Sequence, residues 1–246
     1  MLEPINRPDL VDDVYHRIRH AIFAGTLAPG ERLVEDLLAA QLGVSRAPIR
    51  DALKALERDG LIASAGKRGK VVSLLTARDA WEVYSLRSTL EAMAITLAMR
   101  SATPALFDEL DSLIAAMQPA SAAGDHETLS ALDVQFHGAI CRASGHNRLL
   151  RAWESMSIQI RLLSQQVIET IYADLHTIPE RHAMLVAMMR AGDEKLAETA
   201  IRHHIDSVSE RVMRVLQGAE DRLAADAETG QDDGRLVGVS GGESAS

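Results

Sequence analysis

The 246-residue sequence has a single cysteine, Cys141, so no disulfide bond can form within the chain. A lone thiol suits a reducing compartment, and the expected location is the cytoplasm. Aromatic residues make up only 3% of the sequence, which argues against a β-sandwich. The N-terminus has no apolar run typical of a secretory signal, and no segment approaches the ~20 apolar residues that cross a bilayer. We therefore expect no membrane partner.

Alanine, leucine, methionine and arginine are abundant instead, and this composition favours helices. Hydrophobic residues account for 47% of the chain, which is enough for a packed core. The length allows two domains of ordinary size. The sequence therefore predicts a mostly α protein with more than one domain.

Charge is divided unevenly along the chain. Residues 1–75 contain 11 Lys and Arg against 10 Asp and Glu, whereas the remainder contains 15 against 25. The first part is therefore close to neutral, at +1, and the second part carries −10, which gives the net charge of −9. Because an acidic surface repels phosphate, the two parts are expected to have different tasks.

An amphipathic helix is predicted at Asp9–Ala24, and two short helices follow it in the N-terminal part. The first, at Leu33–Leu42, ends at Gly43, which can adopt the left-handed conformation that stops a helix. Ser45 is predicted as the N-cap of the second helix, Arg46–Arg58, with its hydroxyl accepting a backbone N–H. The apolar residues of this second helix recur on one face, at Ile49, Leu53 and Leu56.

The second helix has a basic face that begins in its first turn. A recognition helix presents its N-terminal residues to base edges in the major groove, where Arg is the commonest bidentate partner of guanine. A hairpin containing Lys67-Arg68-Gly69-Lys70 follows. The whole arrangement predicts a winged helix-turn-helix domain over residues 1–75 that binds double-stranded DNA, whereas an amphipathic helix pair with a solvated basic face is the plainer alternative. The predicted contacts are Ser45, Arg46, Arg50, Lys67, Arg68 and Gly69.

Beyond residue 75 the hydrophobic pattern is helical throughout. Proline and glycine positions divide it into six predicted helices, at about 77–100, 104–118, 125–143, 147–172, 177–191 and 194–217. Residues 76–220 are therefore predicted to form an all-α bundle. Residues 221–246, which become rich in Gly, Asp and Ser, are predicted to be a disordered tail.

Four polar residues of the bundle suggest a metal site. Asp133 and His137 share one helical face at i, i+4. His182 and His204 lie about eleven residues before and after the turn at Gly192-Asp193, so in a helical hairpin both are ~16 Å from the turn and can face each other. Three imidazoles and one carboxylate suit Zn²⁺ or Ni²⁺. The alternative is that these are ordinary core and surface residues, as is expected of the isolated pair His16 and His20.

The N-terminal part resembles the DNA-binding domain of the GntR family of bacterial transcription regulators. The resemblance rests on Gly25-x-Leu27-x-Pro29-Gly30-Glu31-x-Leu33, on Leu42-Gly43-Val44-Ser45-Arg46-x-Pro48-Ile49-Arg50, and on Leu56-Glu57-x-Asp59-Gly60-Leu61. In this family the position of Asp36 is sometimes an arginine that contacts DNA. Because the residue here is acidic, no contact is assigned to Asp36.

The C-terminal part resembles the FCD ligand-binding domain of the FadR subgroup, and the six-helix count is similar to its VanR-type branch. The resemblance rests on Asp133-x-x-x-His137, His182, His204-Ile205 and Arg87-x-x-Leu90-Glu91. It implies a divalent metal at the four positions and a small carboxylate effector. A homodimer is expected because one recognition helix covers too few base pairs for useful specificity. Arg87 is a candidate clamp for that carboxylate, and an ion pair between Arg87 and Glu91 is the alternative.

These features together predict a DNA-binding transcription regulator, most simply a repressor, that is controlled by an organic acid at a metal site. The chain is not expected to be an enzyme. The alternatives are a metalloenzyme with a DNA-binding appendage, because an open metal site can activate water, and a metal sensor or structural metal site.

Overall fold

The computed structural model of the chain describes residues 9–171, 175 and 177–229. Within that part, nine α-helices and one three-stranded sheet form a mostly α protein with two hydrophobic cores. The first core belongs to the N-terminal domain and the second to a helical bundle. The predicted fold class is therefore confirmed. No helix in the described ranges is long and apolar enough to cross a membrane.

The N-terminal domain is built from three helices and a small antiparallel sheet. The sheet order is β1-β3-β2, with Arg32 opposite Val71 and Ile62 opposite Val72. The apolar stripe of α1 and the apolar face of α3 fill the core beneath the sheet. The elements are α1 (Asp9–Phe23), β1 (Arg32–Leu33), α2 (Glu35–Leu42), α3 (Arg46–Arg58), β2 (Ile62–Ser64) and β3 (Lys70–Val72).

The helix-turn-helix differs from its sequence prediction in two details. Helix α2 begins at Glu35 rather than Leu33, because Arg32 and Leu33 pair with β3. Ser45 occupies the predicted N-cap position of α3 with an extended backbone, but its side chain makes no capping hydrogen bond. Gly43 ends α2 as expected, with a left-handed φ of 68°.

The bundle consists of six helices, as predicted: α4 (Ala77–Arg100), α5 (Pro104–Ala123), α6 (His126–Ala143), α7 (Asn147–Ile171), α8 (Thr177–Arg190) and α9 (Glu194–Thr229). A capping box between Thr76 and Asp79 starts α4. Helix α4 packs along α9, and α6 crosses both α5 and α7. This packing brings the buried faces of α4, α6, α8 and α9 to a common centre.

Two predicted boundaries in the bundle were wrong. Helix α5 continues through Pro119 to Ala123 and ends at Gly124, whose φ is 68°. An interior proline removes one backbone donor and crowds the carbonyl four residues earlier, but it does not end this helix, whose stop is the left-handed Gly124. Residues 221–229, predicted as the start of a disordered tail, are instead the last turns of α9. The rest of the predicted tail, 230–246, lies outside the described residues.

Helix α7 joins the two domains. Its Leu162 is fully buried within the core of the N-terminal domain. The amide of Gln166 donates to the carbonyl of Leu75 at 3.0 Å and accepts from the Leu75 N–H at 2.9 Å. The guanidinium of Arg161 lies 3.7 Å from the ring centre of Phe23, at the end of α1. One helix of the bundle therefore contacts the end of α1, the core beneath it and the linker that leaves β3.

Candidate functional site

The four predicted metal ligands meet at the centre of the bundle. Helix α6 supplies Asp133 and His137, α8 supplies His182, and α9 supplies His204. One potential ligand atom from each residue lies within 4.8 Å of the others. The three imidazoles are buried, whereas the Asp133 side chain is 25% exposed. The four residues that the sequence predicted as ligands therefore lie together, although Asp133 and His204 are 71 positions apart in the chain.

His137 is oriented by a carboxylate from another helix. Its Nδ1 lies 2.5 Å from Oε2 of Glu91 on α4, and both side chains are fully buried. Because an ionised carboxylate only accepts, Nδ1 carries the proton in this contact. The second ring nitrogen, Nε2, then presents its lone pair to the centre of the cluster. A carboxylate that fixes a histidine in this way is the usual outer partner of a metal ligand.

A backbone carbonyl orients the imidazole of His182 in the same way. Its Nδ1 donates to the carbonyl of Ile178, one turn earlier on α8, at 2.8 Å. Its Nε2 is 3.0 Å from Oδ1 of Asp133. Both His137 and His182 therefore direct Nε2 towards the same carboxylate.

Glu91 is the centre of a buried ionic network. It accepts from Nε of Arg87 at 2.8 Å and from Nε1 of Trp153 at 2.7 Å, in addition to its contact with His137. Burial alone would raise the pKa of Glu91, but its electrostatic interactions with the Nδ1–H of His137 and with the guanidinium of Arg87 outweigh burial and lower that pKa to about 2. The carboxylate is therefore ionised, and each of its partners is fixed by it.

Arg87 lies beneath the cluster. Its side chain is only 4% exposed, and it pairs with Glu91 and, at 3.4 Å, with Oδ2 of Asp133. This ion pair with Glu91 is the alternative to a carboxylate clamp that the sequence analysis gave for Arg87. Its part in effector binding stays a prediction.

The residues present fit a divalent metal ion. Nε2 of His137 is buried, and no hydrogen-bond partner for it exists among the described residues; Oδ1 of Asp133 is 3.6 Å away. Burial, followed by the nearness of His182 and His137, holds the pKa of His204 well below its usual value, so this imidazole is neutral. Metal ligation requires neutral imidazoles and an ionised carboxylate. Three nitrogens and one oxygen suit Zn²⁺ or Ni²⁺.

A cavity opens beside the cluster. Three of the four candidate ligands line it, as do polar and apolar residues of α6, α7, α8 and α9. The cavity has a volume of about 40 Å³, which is enough for a few waters or a small polar group. The neighbours of the ligands in this lining include Ser130, Ser164, Ile178, Arg181 and Val208.

The predicted DNA-contacting residues of α3 lie on one exposed surface. Arg46 and Arg50 have side chains that are 57% and 54% exposed. Each also pairs with Glu35 at the start of α2, at 3.4 and 3.2 Å, and Arg46 reaches Asp36 at 3.0 Å. These acidic partners hold both guanidinium groups beside the exposed first turn of α3. The sequence analysis did not foresee the role of Glu35.

The wing is a hairpin whose tip is a single 3₁₀ turn, Gly66–Arg68. Lys67 is exposed there, and Gly69 follows with a φ of 80°, which only glycine adopts readily. The backbone of Arg68 belongs to the turn, but its side chain is outside what the structure describes. Lys70 was not among the predicted contacts, and it pairs with Glu57 and Ser64.

Comparison with known families decides the identity of the chain. Residues 10–72 match the model for bacterial regulatory proteins of the gntR family, and residues 82–207 match the FCD domain. The chain belongs to the GntR family of regulators. It is therefore a DNA-binding transcription regulator and not an enzyme. Its relatives include regulators similar to the FadR subgroup, and the predicted VanR-type branch stays a prediction.

Individual relatives agree with this assignment. The chain is 31% identical to a probable D-xylose utilization operon transcriptional repressor of Paenarthrobacter nicotinovorans, over 82% of this chain and 88% of that protein. It is 28% identical to the gluconate operon transcriptional repressor of Bacillus subtilis, over 89% and 91% of the two chains.

Solved structures share the fold. McbR/YncC of E. coli has a TM-score of 0.69 with 27% identity, and the match covers 87% of this chain and all of that one. A GntR regulator from Rhodococcus superposes with a TM-score of 0.70 at 24% identity, over 82% and 97% of the two chains. The second match supports the fold alone.

We expect Glu91→Gln to weaken zinc binding by about 10- to 100-fold, the usual effect of removing the outer partner of a metal-bound histidine. The neutral amide holds His137 less firmly in the required tautomer. The measurement is competition with a chromophoric chelator, with circular dichroism as a check that the variant is folded. Glu82→Gln, on an exposed turn of the same helix, is the control. Equal zinc affinity in both variants would show that Glu91 does not position His137.

Proposed function

We propose that this regulator is a repressor that a small organic acid controls through a metal site in the FCD domain. The observation that carries the proposal is the cluster of Asp133, His137, His182 and His204 at the end of a cavity. Glu91 and the Ile178 carbonyl already direct two of the imidazoles towards one point. This arrangement buries the charged carboxylate of Glu91, which is unfavourable for stability. It is expected where a bound ligand compensates for that cost.

The bound ion would be Zn²⁺ or Ni²⁺. It would supply a Lewis-acid position for a carboxylate. Around that position the chain contributes a cavity wall with polar groups at Ser130, Ser164 and Arg181. Arg87 is proposed to act on the effector through Asp133, which it contacts, because two protein carboxylates already occupy its guanidinium. A small acid fits a cavity of about 40 Å³ better than a long acyl chain does.

Two relatives support repression as the mode of control. They are named as repressors of a D-xylose utilization operon and of a gluconate operon. A sensor that responds to the metal alone is the remaining alternative. It would change DNA affinity with zinc and would show no response to a carboxylate.

We propose further that the regulator is a homodimer joined through the acidic bundle. Leu86 and Met93 of α4 are each 48% exposed, and the half-buried Leu90 lies between them on the same face. An exposed apolar stripe of this kind marks an interaction surface. A twofold dimer also provides the two half-sites that useful operator specificity requires.

We expect Arg46 and Arg50 to carry operator recognition. Each single change to alanine should weaken specific binding by ~1–3 kcal/mol if the side chain reads a base edge. The measurement is fluorescence anisotropy on duplexes selected by the wild-type protein from random sequence. Lys54→Ala, on the same helix beyond its first turns, is the control. Unchanged affinity in the Arg46→Ala, Arg50→Ala double variant would refute the assignment.

Metal content tests the proposed cluster directly. Wild type purified from zinc-supplemented medium should contain about one ion per chain, and His182→Ala with His204→Ala should contain almost none. The control is His16→Ala with His20→Ala, an exposed i, i+4 pair on α1. Plasma emission spectrometry measures the metal. A metal-free wild type, or a double variant that keeps its metal, would make these histidines ordinary core residues.

The dimer surface has its own test. Leu86→Glu with Met93→Glu should produce a monomer at micromolar concentration in light scattering, because two charges would have to be buried against the partner. Met184→Glu with Leu196→Glu, at apolar positions of similar exposure on α8 and α9, should remain dimeric. A dimer in both variants would place the interface elsewhere.

A further inference from the structure

A cleft separates the two domains beside the candidate metal cavity. The cleft has a volume of about 580 Å³. The end of α1 and the loop after it form one wall, and the start of α6 and the middle of α7 form the other. The residues that matter here are Phe23 and Gly25 from the N-terminal domain and Glu127, Arg161 and Gln165 from the bundle.

Arg161 is a partly buried cation for which the described residues provide no ion pair. Its Nε is buried, and among the described residues no acceptor lies within hydrogen-bond distance of it. Its recorded neighbour is the face of Phe23, at 3.7 Å. Burial is the main influence on its guanidinium and lowers its pKa. A buried charge is costly unless it is paired, so this position favours an anionic ligand.

Gln165 adds a second unmatched group to the same cleft. Its Oε1 is buried and accepts no hydrogen bond from the part of the chain that the structure describes. It lies one turn beyond Arg161 on α7, so both groups border the same space. An amide oxygen in that position accepts from a hydroxyl group. The cleft therefore offers a cation and an acceptor together.

The cleft adjoins the cavity of the candidate metal site. His126 and Ser130 of α6 line both spaces. On α7, Ser164 lines the cavity and Arg161 lines the cleft, and three residues of helix correspond to a rise of about 4.5 Å. The two spaces are therefore neighbours that share part of their lining.

We propose that this cleft is a second effector subsite, in which Arg161 binds an anionic group and Gln165 accepts from a hydroxyl. The proposal rests on the proposed function, because the first acid group of the same molecule would sit at the metal. The effector is then a hydroxylated acid with a second acid group, either carboxylate or phosphate. Its far end contacts the wall formed by α1, so its binding changes how the DNA-binding domain docks on α7.

Glu127 places a negative charge in the cleft that opposes the binding of an anion. It lines the cleft, and its carboxylate is 3.7 Å from His20 of α1. Its charge acts on Arg161 from beyond ion-pair distance. A ligand anion therefore has to overcome this repulsion, and removal of the charge should strengthen anion binding.

The first experiment uses sulfate as the probe and thermal melting as the readout. Sulfate stabilises proteins in general, so each melt is compared with chloride at equal ionic strength, and variants are compared with wild type. Arg161→Gln should lose part of the sulfate stabilisation, Arg161→Lys should keep it, and Glu127→Gln should increase it. Arg151→Gln, on an exposed turn of the same helix, should behave as wild type. Equal sulfate stabilisation in wild type and Arg161→Gln would overturn the subsite.

The second experiment identifies the ligand class with zinc-loaded protein and calorimetry. The probes are a six-carbon aldonic acid, the aldaric acid with a carboxylate at both ends, and the aldonic acid with a terminal phosphate. Wild type should bind at least one of the doubly acidic probes about tenfold more tightly than the aldonic acid, as a charge-assisted contact implies. In Arg161→Gln the difference should disappear while the affinity for the aldonic acid is unchanged.

The two failures can be told apart. A wild-type protein that binds no zinc would contradict the metal-dependent function. The sulfate comparison does not require zinc, so it would still test the cleft. Zinc-loaded wild type that binds the singly and doubly acidic probes equally, or binds none of them, contradicts the proposed ligand class. A preference for the phosphate or for the second carboxylate selects between the two acid groups.

Discussion

The contact between the Glu91 carboxylate and His137 is the interaction on which the candidate site depends. Glu91 is completely buried on α4, and its other partners, Arg87 and Trp153, are buried with it. Four charged or polar groups are thus taken out of water at the middle of a helical bundle. Such a network stabilises a fold only when every member is paired. Here Nε2 of His137 has no hydrogen-bond partner among the residues that the structure describes, and it lies 3.6 Å from Oδ1 of Asp133. A metal ion would complete the set.

Helix α7 gives this centre a physical route to the DNA-binding domain. Trp153 near its start donates to Glu91, Ser164 lines the cavity beside the ligands, and Leu162 is buried in the core of the other domain. A ligand that shifts α7 therefore acts on both domains at once. The coupling requires differential binding of the effector to two docked arrangements, since a ligand that binds both equally shifts neither. The cleft at Arg161 is where the two docked arrangements would differ in their affinity for the effector.

The sequence was most informative where the pattern was local. Helix periods and glycine stops predicted nine helices, and seven of them agree with the structure to within two residues at each end, whereas α5 and α9 extend further than predicted. The equal spacing of His182 and His204 about one turn correctly predicted that they lie close together. It was least informative where pairing was distant. Glu91 and His137 are forty-six positions apart, so no spacing rule joins them, and Arg161 has no motif at all. The error at Leu33 has the same origin, because its strand partner lies on the far side of the helix-turn-helix.

The central claim is that three imidazoles and one carboxylate of this bundle hold a single ion. X-ray absorption at the zinc edge tests it most directly on zinc-loaded protein without added acid. The account predicts a first shell of nitrogen and oxygen at ~2.0–2.2 Å, with the multiple scattering of about three imidazoles and no sulfur. In Glu91→Gln the imidazole signal should become weaker or more disordered. A spectrum with sulfur at ~2.3 Å, or with only water and carboxylate oxygens, would contradict the account.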